Sequence, residues 1–194
     1  MLNELLHLDK ELFLFLNNLG SSTWDGFWLW ITKTWGSLPV YVLLAWLSYR
    51  SLGLKRFLVL LVAVTLLILV TDQFSSFVKL GTHRLRPCYD ASLNGLMRLV
   101  KASCGGRYGY FSAHAANATA VAVFFVHILG KDVRYFRAFI LLWAFLVAYS
   151  RIYIGVHFPL DMLSGIGVGA LLGWIFARLF LKFIEDTKAV APKN

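Results

Sequence analysis

Long apolar segments with few charged residues constrain this chain more than any other feature of its sequence. Residues 57–71 contain no charged side chain, and further apolar segments cover residues 24–49, 113–130, 138–150 and 159–181. A helix that crosses a bilayer needs about 20 residues, a length that each segment reaches with its polar ends included. Since 59% of the 194 residues are hydrophobic and 15% are charged, a soluble domain of this size could not bury its apolar surface. The sequence therefore predicts an integral membrane protein.

The predicted architecture is an all-α, polytopic membrane helical bundle that forms a single domain over residues 1–194. It has five spans, or six if the first segment is broken in two. An interfacial helix is predicted within residues 1–22, because this segment is amphipathic and short, and Lys10 and Glu11 interrupt its apolar run. The same residues lack the features of a removable signal peptide. Residues 185–194 are predicted to be a solvated cytoplasmic tail.

Three glycines of the last span repeat at four-residue spacing. Gly165, Gly169 and Gly173 therefore share one face of the predicted helix. Small residues at this spacing allow two helices to approach closely in a membrane. We expect this face to pack against a neighbouring helix.

The chain carries a formal net charge of +9. A basic nucleic-acid-binding domain would not be so apolar, so the charge indicates membrane lipids and an anionic ligand as partners, and no nucleic acid. Because alternate loops share a side of the membrane, residues 51–56, 131–137 and the tail after 182 lie opposite residues 81–111 and 152–158. Basic residues are almost equally frequent on both sides, but on the second side they are clustered, which indicates a further task. We therefore place the first side in the cytoplasm and the second outside.

The strongest polar side chains fall at helix ends that share one face of the membrane. The ends of even-numbered spans and the starts of odd-numbered spans meet there by topology alone. The residues at these ends are Lys79, Arg86, Ser112, His114, Arg151, His157 and Asp161. Ionisable groups at membrane depth are costly and mark functional sites. We expect these residues to form one site.

Three cations in this set predict a site for a compact polyanion. Arg86 and Arg151 offer planar forks that suit phosphate oxygens, and Lys79 supplies a point charge. Ser112 stands where an N-cap would, so the N–H groups of Ala113 and of the residue after it could face the same anion. A phosphate group is therefore the predicted ligand.

Two histidines and one aspartate supply the groups that phosphoryl transfer requires. His157 and Asp161 are four residues apart, so the carboxylate can take the hydrogen of one imidazole nitrogen and leave the other free to attack phosphorus. His114 would then protonate the departing oxygen. A structural salt-bridge network is the alternative explanation of the same residues.

The motifs have a characteristic order along the chain. They read Lys79-(six residues)-Arg86-Pro87, then Phe111-Ser112-Ala113-His114, then Ser150-Arg151-(five residues)-His157-(three residues)-Asp161. This pattern resembles the phosphatidic-acid-phosphatase type 2 superfamily, which includes membrane lipid phosphatases, soluble class A acid phosphatases and vanadium haloperoxidases. The resemblance covers half of the chain, from residue 79 to about residue 173.

The resemblance implies a role for each matching residue. His157 would be the nucleophile that forms a phosphohistidine, with Asp161 as its partner and His114 as the acid. The residues that would bind phosphate are Lys79, Arg86, Ser112, Ala113 and Arg151. No metal or other cofactor would be needed.

The second motif departs from the family's Pro-Ser-Gly-His pattern at two positions. Ala113 replaces Gly, which is compatible with phosphate binding if its φ is negative and strained if its φ is positive. Phe111 replaces Pro and could narrow the mouth of the pocket or contact a lipid chain. Both departures bear on substrate fit more than on reaction type.

Several other polar residues have structural interpretations. Cys88 and Cys104 lie in the long outer loop, where a disulfide would hold the Arg86 region if that face is oxidising; two free thiols are the alternative. His83 and Arg84 are expected to be solvated, with a contact behind the site left open. Structural or packing roles are expected for the remaining polar residues near the site or in the spans, Asp72, His127 and Tyr153.

The function that follows is that of a membrane phosphatase acting on a lipid phosphomonoester or pyrophosphate. A compact chain with an outward-facing site resembles the bacterial members that recycle undecaprenyl pyrophosphate in the cytoplasmic membrane, so that lipid is the predicted substrate. Phosphatidylglycerophosphate, phosphatidic acid and lipid A are the alternatives. A phosphate or phospholipid transporter is the alternative from another class, and the His–Asp pair together with a second His argues against it.

Overall fold

The computed structural model describes residues 1–130 and 135–189, and these contain six α-helices and no β-strand. The helices are α1 (Leu2–Asn18), α2 (Ser22–Thr32), α3 (Thr34–Thr82), α4 (Ala113–Leu129), α5 (Phe136–Tyr153) and α6 (Pro159–Ala189). Two single turns of 3₁₀ helix, Pro87–Tyr89 and Ala91–Leu93, lie in the loop between α3 and α4. The all-α prediction is confirmed.

The predicted first segment is divided between two helices. Lys33 has an extended conformation that ends α2 and begins α3. The connection predicted at residues 51–56 is present as a sharp kink within α3 at Gly53, where φ is 72° and ψ is 167°, and helical residues flank it on both sides. A residue with a side chain rarely adopts this φ, so glycine permits a sharp break without a loop.

Three helices of the described chain, α3, α5 and α6, are long and apolar enough to cross a membrane. Helix α4 is apolar but, at 17 residues, shorter than the others. At 1.5 Å per residue, α3 would measure about 70 Å if it were straight, more than twice the roughly 30 Å of a hydrocarbon core. The break at Gly53 therefore allows the two halves of α3 to cross separately.

The predicted cytoplasmic segments at residues 131–137 and 185–194 lie partly outside the described residues. The tail predicted from residue 185 begins as a continuation of α6, which reaches Ala189, and residues 185–187 are exposed as expected of a solvated tail. Residues 190–194 lie outside the described residues. So do Lys131 and Arg134 of the predicted 131–137 loop.

Helix α4 lies at the centre of the bundle. Its buried side chains, such as Phe124 and Leu129, pack with Leu67 of α3, Ile140 of α5 and Phe180 of α6 in the largest apolar cluster. The outward face of α3 is also apolar, where large side chains remain exposed. An apolar exterior around an apolar core is the pattern of a helix bundle in lipid.

The predicted glycine face of α6 packs against α4. A Cβ atom at Gly165, Gly169 or Gly173 would collide with the backbone of Ser112, Ala116 or Ala120 respectively. The packing prediction is therefore confirmed. This contact sets the start of α6 directly beside the start of α4, where the second and third motifs lie.

A matched pair of glycine substitutions tests this packing. Gly169→Ala should lower the stability of the protein by about 1–3 kcal/mol, because the added methyl group overpacks the α4–α6 contact. Gly167→Ala is the control, since a Cβ at Gly167 meets nothing within 4 Å and alanine improves helix propensity by about 1 kcal/mol. Thermal unfolding of the purified proteins in detergent measures both; equal unfolding temperatures would contradict the packing role.

Candidate active site

The motif residues meet at one end of the bundle, where α3 and α5 end and α4 and α6 begin. Lys79 lies in the last turn of α3 and is half-buried. The charges of Lys79, Arg86 and Arg151 all act on the His157 imidazole. The charges of Arg151, His157 and Lys79 also act on the imidazole of His114. The three cations and the two histidines therefore lie near enough for their charges to interact.

The centre of this site is a buried His–Asp pair. Nδ1 of His157 lies 3.3 Å from Oδ2 of Asp161, and the same oxygen accepts the backbone N–H of Phe158 at 3.0 Å. His157 is 2% exposed and Asp161 is fully buried. A carboxylate at Nδ1 favours the tautomer with the proton on that nitrogen, so Nε2 keeps a free lone pair.

The electrostatic environment favours a neutral His157. Burial, followed by the positive charges of Arg151, Arg86 and Lys79, holds the pKa of His157 well below its usual value of 6.5. Both causes disfavour the protonated imidazole, because it would add a further positive charge to a buried site that already contains three cations. A neutral imidazole is the form that can act as a nucleophile.

A tight turn after α5 delivers His157 to the site. Gly155 has a φ of 83°, and a Cβ there would collide with the backbone of Arg98. The N–H groups of Val156 and His157 both donate to the carbonyl of Arg151, at 3.1 Å and 3.3 Å. The backbone of Arg151 therefore holds the nucleophile's segment, while its side chain enters the same site.

The Arg151 guanidinium is held at one end and open at the other. It is 4% exposed, and its Nη1 donates to Oγ1 of Thr32 at the end of α2. Its Nε has no acceptor among the described residues. A buried N–H without a partner is costly, and an oxygen of a bound phosphate would satisfy it.

Arg86 is held by the loop that follows it. Its Nη1 donates to the carbonyl of Cys104 at 2.8 Å and its Nε to the carbonyl of Tyr108 at 3.2 Å. Cys104 is bonded to Cys88, with their Cα atoms 6.3 Å apart. The cysteine pair thus joins the segment after Arg86 to the carbonyl group that anchors it.

Ser112 links the starts of α4 and α6. Its Oγ accepts the N–H of Ala115 at 3.4 Å as the N-cap of α4, and its N–H donates to the carbonyl of Asp161 at 2.9 Å. Ala113 is the first residue of α4 and has helical backbone angles, so alanine in place of the family's glycine introduces no strain. The first N–H groups of α4 have no intrahelical acceptors and lie beside the site.

Phe111 does not have either of the two roles expected from the sequence. It is 2% exposed and packs against Phe74 of α3, with ring centroids 5.8 Å apart. Its carbonyl accepts a hydrogen bond from Ser75 at 3.2 Å. The side chain is therefore part of the α3–α4 packing, because its position at the end of the loop points it into the bundle.

His114 lies at the polar end of an apolar cavity of about 540 Å³. The cavity continues between α3, α4 and α5, and its apolar walls include Leu44, Leu60, Val64, Val121, Phe125 and Trp143. Asp72 and Asn117 lie at the same polar end and share a hydrogen bond of 2.8 Å. Asp72 thus has the structural contact expected of it.

Two residues lie behind the His157–Asp161 pair: Asp9, which sequence reasoning missed, and Arg84, for which it had left such a contact open. Arg84, expected to be solvated, donates from Nη1 to Oδ1 of Asp161 at 2.7 Å and from Nη2 to Oδ2 of Asp9. Asp9 is on α1 and is 4% exposed. The spacing of Asp9, Phe13 and Asn17, the buried residues of α1, is the sequence signal that could have revealed an inward-facing carboxylate.

The remaining sequence-level interpretations concern residues outside the catalytic centre. Tyr153 is buried and stacks on Trp28 with ring centroids 5.1 Å apart, and its hydroxyl donates to the carbonyl of Ser21 at 2.8 Å, so it has the packing role. His127 shares a hydrogen bond of 2.8 Å with the carbonyl of Val123 within α4. His83 ends α3 with a φ of 51°. None of these three side chains is among the groups that surround His157.

The fold and the site together define a class: an integral membrane hydrolase of phosphoric esters. The family model of the PAP2 superfamily matches residues 56–185. The chain therefore belongs to the PAP2 superfamily, and its similarity to two curated lipid phosphatases makes it a membrane lipid phosphatase.

Two curated relatives are lipid A 4′-phosphatases. The one from Bacteroides thetaiotaomicron is 34% identical over 194 residues, which cover 99% of this chain and 85% of that protein. The one from Porphyromonas gingivalis is 32% identical over 183 residues, which cover 91% of this chain and 75% of that protein. The similarity thus extends well beyond the three motifs.

Two crystal structures have the same fold. Aquifex aeolicus LpxE has a TM-score of 0.63 at 25% identity, covering 88% of this chain and 95% of that one. A transmembrane PAP2-type phosphatidylglycerolphosphate phosphatase from Bacillus subtilis has a TM-score of 0.70 at 22% identity, covering 93% and 88%. Both alignments are longer than the family match and extend into the part of the chain before residue 56.

The cysteine pair yields a prediction about substrate binding. Replacing both Cys88 and Cys104 by Ser should raise KM more than it lowers kcat, because the loop carbonyl that anchors Arg86 loses its covalent support. Adding a reductant to the parent should have the same effect. Kinetics with and without reductant measure this, and alkylation followed by mass spectrometry reports the state of the thiols.

The double-serine variant is its own control, because a reductant has no disulfide to act on in it. A parent whose KM is unchanged after verified reduction would contradict the anchoring role.

Proposed function

We propose that this protein hydrolyses a phosphate ester of lipid A, with the 4′-phosphate as the preferred position. The observation that carries this proposal is the identity of 34% over 99% of the chain to a lipid A 4′-phosphatase. Undecaprenyl pyrophosphate, the substrate expected from the sequence, finds no support among these relatives. The prediction of that lipid lacks support for a physical reason: the motif residues are suited to bind a phosphate group, and they contain no information about the lipid attached to it.

The proposed first step is an in-line displacement at phosphorus. Nε2 of His157 attacks and forms a P–N bond, while the bond from phosphorus to the sugar oxygen breaks. His114 gives its proton to the departing oxygen. The imidazole of His157 becomes a cation whose Nδ1–H remains directed at Asp161, 3.3 Å away. The product at this stage is a phosphohistidine and a free hydroxyl on the lipid.

The second step reverses the roles. His114, now neutral, takes a proton from water, and the resulting hydroxide attacks the phosphohistidine, which releases inorganic phosphate and restores His157. Lys79, Arg86 and Arg151 hold the equatorial oxygens through both steps, and their preorganised charge is the main source of transition-state stabilisation.

The cavity beside His114 supports a lipid as the leaving group. Its apolar walls begin at the catalytic acid and continue between the helices. An acyl chain placed there would leave its headgroup at the polar end, beside His114. The substrate would then enter from the bilayer between helices, without leaving the apolar phase.

We further propose that the protein resides in the cytoplasmic membrane with its site facing outward. Clustered basic residues around the site have a ligand-binding task, which leaves the basic residues of the opposite side to determine orientation. The Cys88–Cys104 pair on the site's face supports this, since disulfides persist in oxidising compartments. Thiols of these residues that can be alkylated in unreduced cells would contradict the outward orientation.

Phosphate release from a panel of purified lipids tests the proposed substrate. The parent should act on lipid A faster than on undecaprenyl pyrophosphate, phosphatidylglycerophosphate or phosphatidic acid, and mass spectrometry should show loss of the 4′-phosphate. His157→Ala should abolish release from every lipid, because no phosphohistidine can form. Preference for another lipid would reject the substrate, and equal release by both proteins would reject the nucleophile.

The leaving group distinguishes the roles of the two histidines within the same experiment. His114→Ala should slow release from lipid A more than from an activated aryl phosphate, whose oxygen departs without a proton. Equal loss on the two substrates would contradict the role of His114 as an acid.

Filling the cavity tests its role in binding the lipid chain. Val64→Trp places a large ring in the cavity wall and should raise KM for lipid A, while KM for a soluble aryl phosphate stays the same. Val62→Trp is the matched control, because Val62 lies on the same helix with 59% of its surface exposed. Equal effects of Val64→Trp on the two substrates would show that the cavity does not hold the lipid.

A further inference from the structure

We infer that Asp9 and Arg84 are positioning residues that set the charge on the Asp161–His157 pair, so that the N-terminal helix takes part in the reaction. This inference rests on the proposed phosphohistidine mechanism but not on the identity of the lipid. It assigns a function to α1, which lies outside the family match over residues 56–185.

The four side chains form a continuous series of hydrogen bonds. Asp9 accepts from Arg84, Arg84 donates to Oδ1 of Asp161 at 2.7 Å, and Oδ2 of Asp161 faces Nδ1 of His157 at 3.3 Å. The charges alternate along this series: Asp9 is negative, Arg84 is positive and Asp161 is negative. Asp161 therefore has a partner on each side, Arg84 at Oδ1 and His157 at Oδ2.

Burial makes these contacts energetically important. The exposed fraction of the side chain is 18% for Arg84, 2% for Asp9 and zero for Asp161. The guanidinium also lies over the ring of Phe158, with 4.6 Å from Cζ to the ring centroid. Charged groups interact strongly when they are removed from water, and the loss of one partner leaves the other uncompensated.

Asp9 also fixes the start of helix α6. Its Oδ1 accepts the N–H of Leu160 at 2.8 Å, a donor in the first turn that has no intrahelical acceptor. Burial raises the pKa of Asp9, while the hydrogen bonds from Arg84 and Leu160 oppose that rise and favour its ionised form. Asp9 thus holds both Arg84 and the turn that carries Asp161.

The charge balance explains why both residues are needed. When His157 attacks phosphorus, its ring becomes a cation that Asp161 must stabilise. Without Asp9, the positive charge of Arg84 would offset the negative charge of Asp161, and Asp161 would then stabilise the imidazolium less. The carboxylate of Asp9 offsets Arg84, so Asp161 stays both anchored and able to stabilise the imidazolium.

Single-turnover formation of the phosphohistidine from an aryl phosphate, quenched in alkali, tests this inference in the full-length protein. Asp9→Asn should slow the step by about ten- to a hundred-fold, the range found when partners that orient a ligating histidine are removed from metal sites. The amide oxygen of asparagine can still accept from Leu160, so the docking of α1 is retained. KM should change much less than the rate of the step.

A double variant separates charge from structure. Asp9→Asn with Arg84→Gln removes both charges, while the glutamine amide can still donate to Asp161, so the double variant should form the phosphohistidine faster than Asp9→Asn alone. Additive losses, or losses that follow the unfolding temperature, would show a structural role and overturn the inference. Lys10→Gln is the control on α1: the pair of Lys10 with Asp90 is partly exposed and should contribute little.

Vanadate binding provides a readout that does not require turnover. Vanadate takes the nucleophile as a fifth ligand, whereas inorganic phosphate is held by the cations alone. Asp9→Asn should therefore weaken vanadate binding and leave phosphate binding unchanged. Equal effects on the two anions would overturn the inference. A failure of the lipid A proposal would show only in the lipid panel, because neither probe used here contains a lipid.

Discussion

The contact between His157 and Asp161 is the interaction on which the rest of the structure depends. Both side chains are removed from water, and a buried carboxylate is tolerated only when it is fully hydrogen-bonded. The surrounding structure meets that requirement through the N–H of Phe158 and the guanidinium of Arg84. In return, the pair supplies an imidazole whose reactive nitrogen is directed into a cationic site.

The packing of α6 on α4 brings the start of α4, with its proposed phosphate-binding groups, to this pair. Glycines on α6 allow the backbones to approach, and the N–H of Ser112 donates to the carbonyl of Asp161 at 2.9 Å. The start of α4 and its free N–H groups are thereby held beside the nucleophile. Arg151 adds its guanidinium from the end of α5, where its own carbonyl holds the turn that leads to His157.

A membrane phosphatase must combine this polar centre with an apolar exterior. The structure does so by placing the motif residues where α3 and α5 end and α4 and α6 begin, while α3, α5 and α6 stay apolar enough to cross a membrane. A cavity begins at His114 and continues between α3, α4 and α5 along apolar side chains. Its position agrees with a substrate whose reactive group is anionic and whose body is soluble only in lipid.

Much of the site could be predicted from the sequence because its signals are local. His157 and Asp161 are one helical turn apart, Ser112 stands directly before an apolar helix, and the glycines of α6 have helical spacing. Each of these patterns depends on the 3.6-residue period or on a helix end, and none of them requires knowledge of the tertiary fold. A connection near Gly53 was also predicted, because Arg50, Lys55 and Arg56 interrupt the apolar residues there, but its reduction to a kink at one glycine was not, because a longer loop fits the same residues.

The sequence by itself determined the helical membrane class and singled out the proposed phosphate-binding residues and the His157–Asp161 pair, since hydropathy, residue type and spacing are sufficient for them. Only the tertiary structure decided that Asp9 and Arg84 stand behind Asp161 and that Phe111 is buried against α3. Asp9 and Asp161 are separated by 152 positions in the sequence, and no periodic pattern relates residues on different helices. Their meeting results from the packing of α1 against the turn that begins α6, which burial and hydrogen bonding across the whole bundle decide.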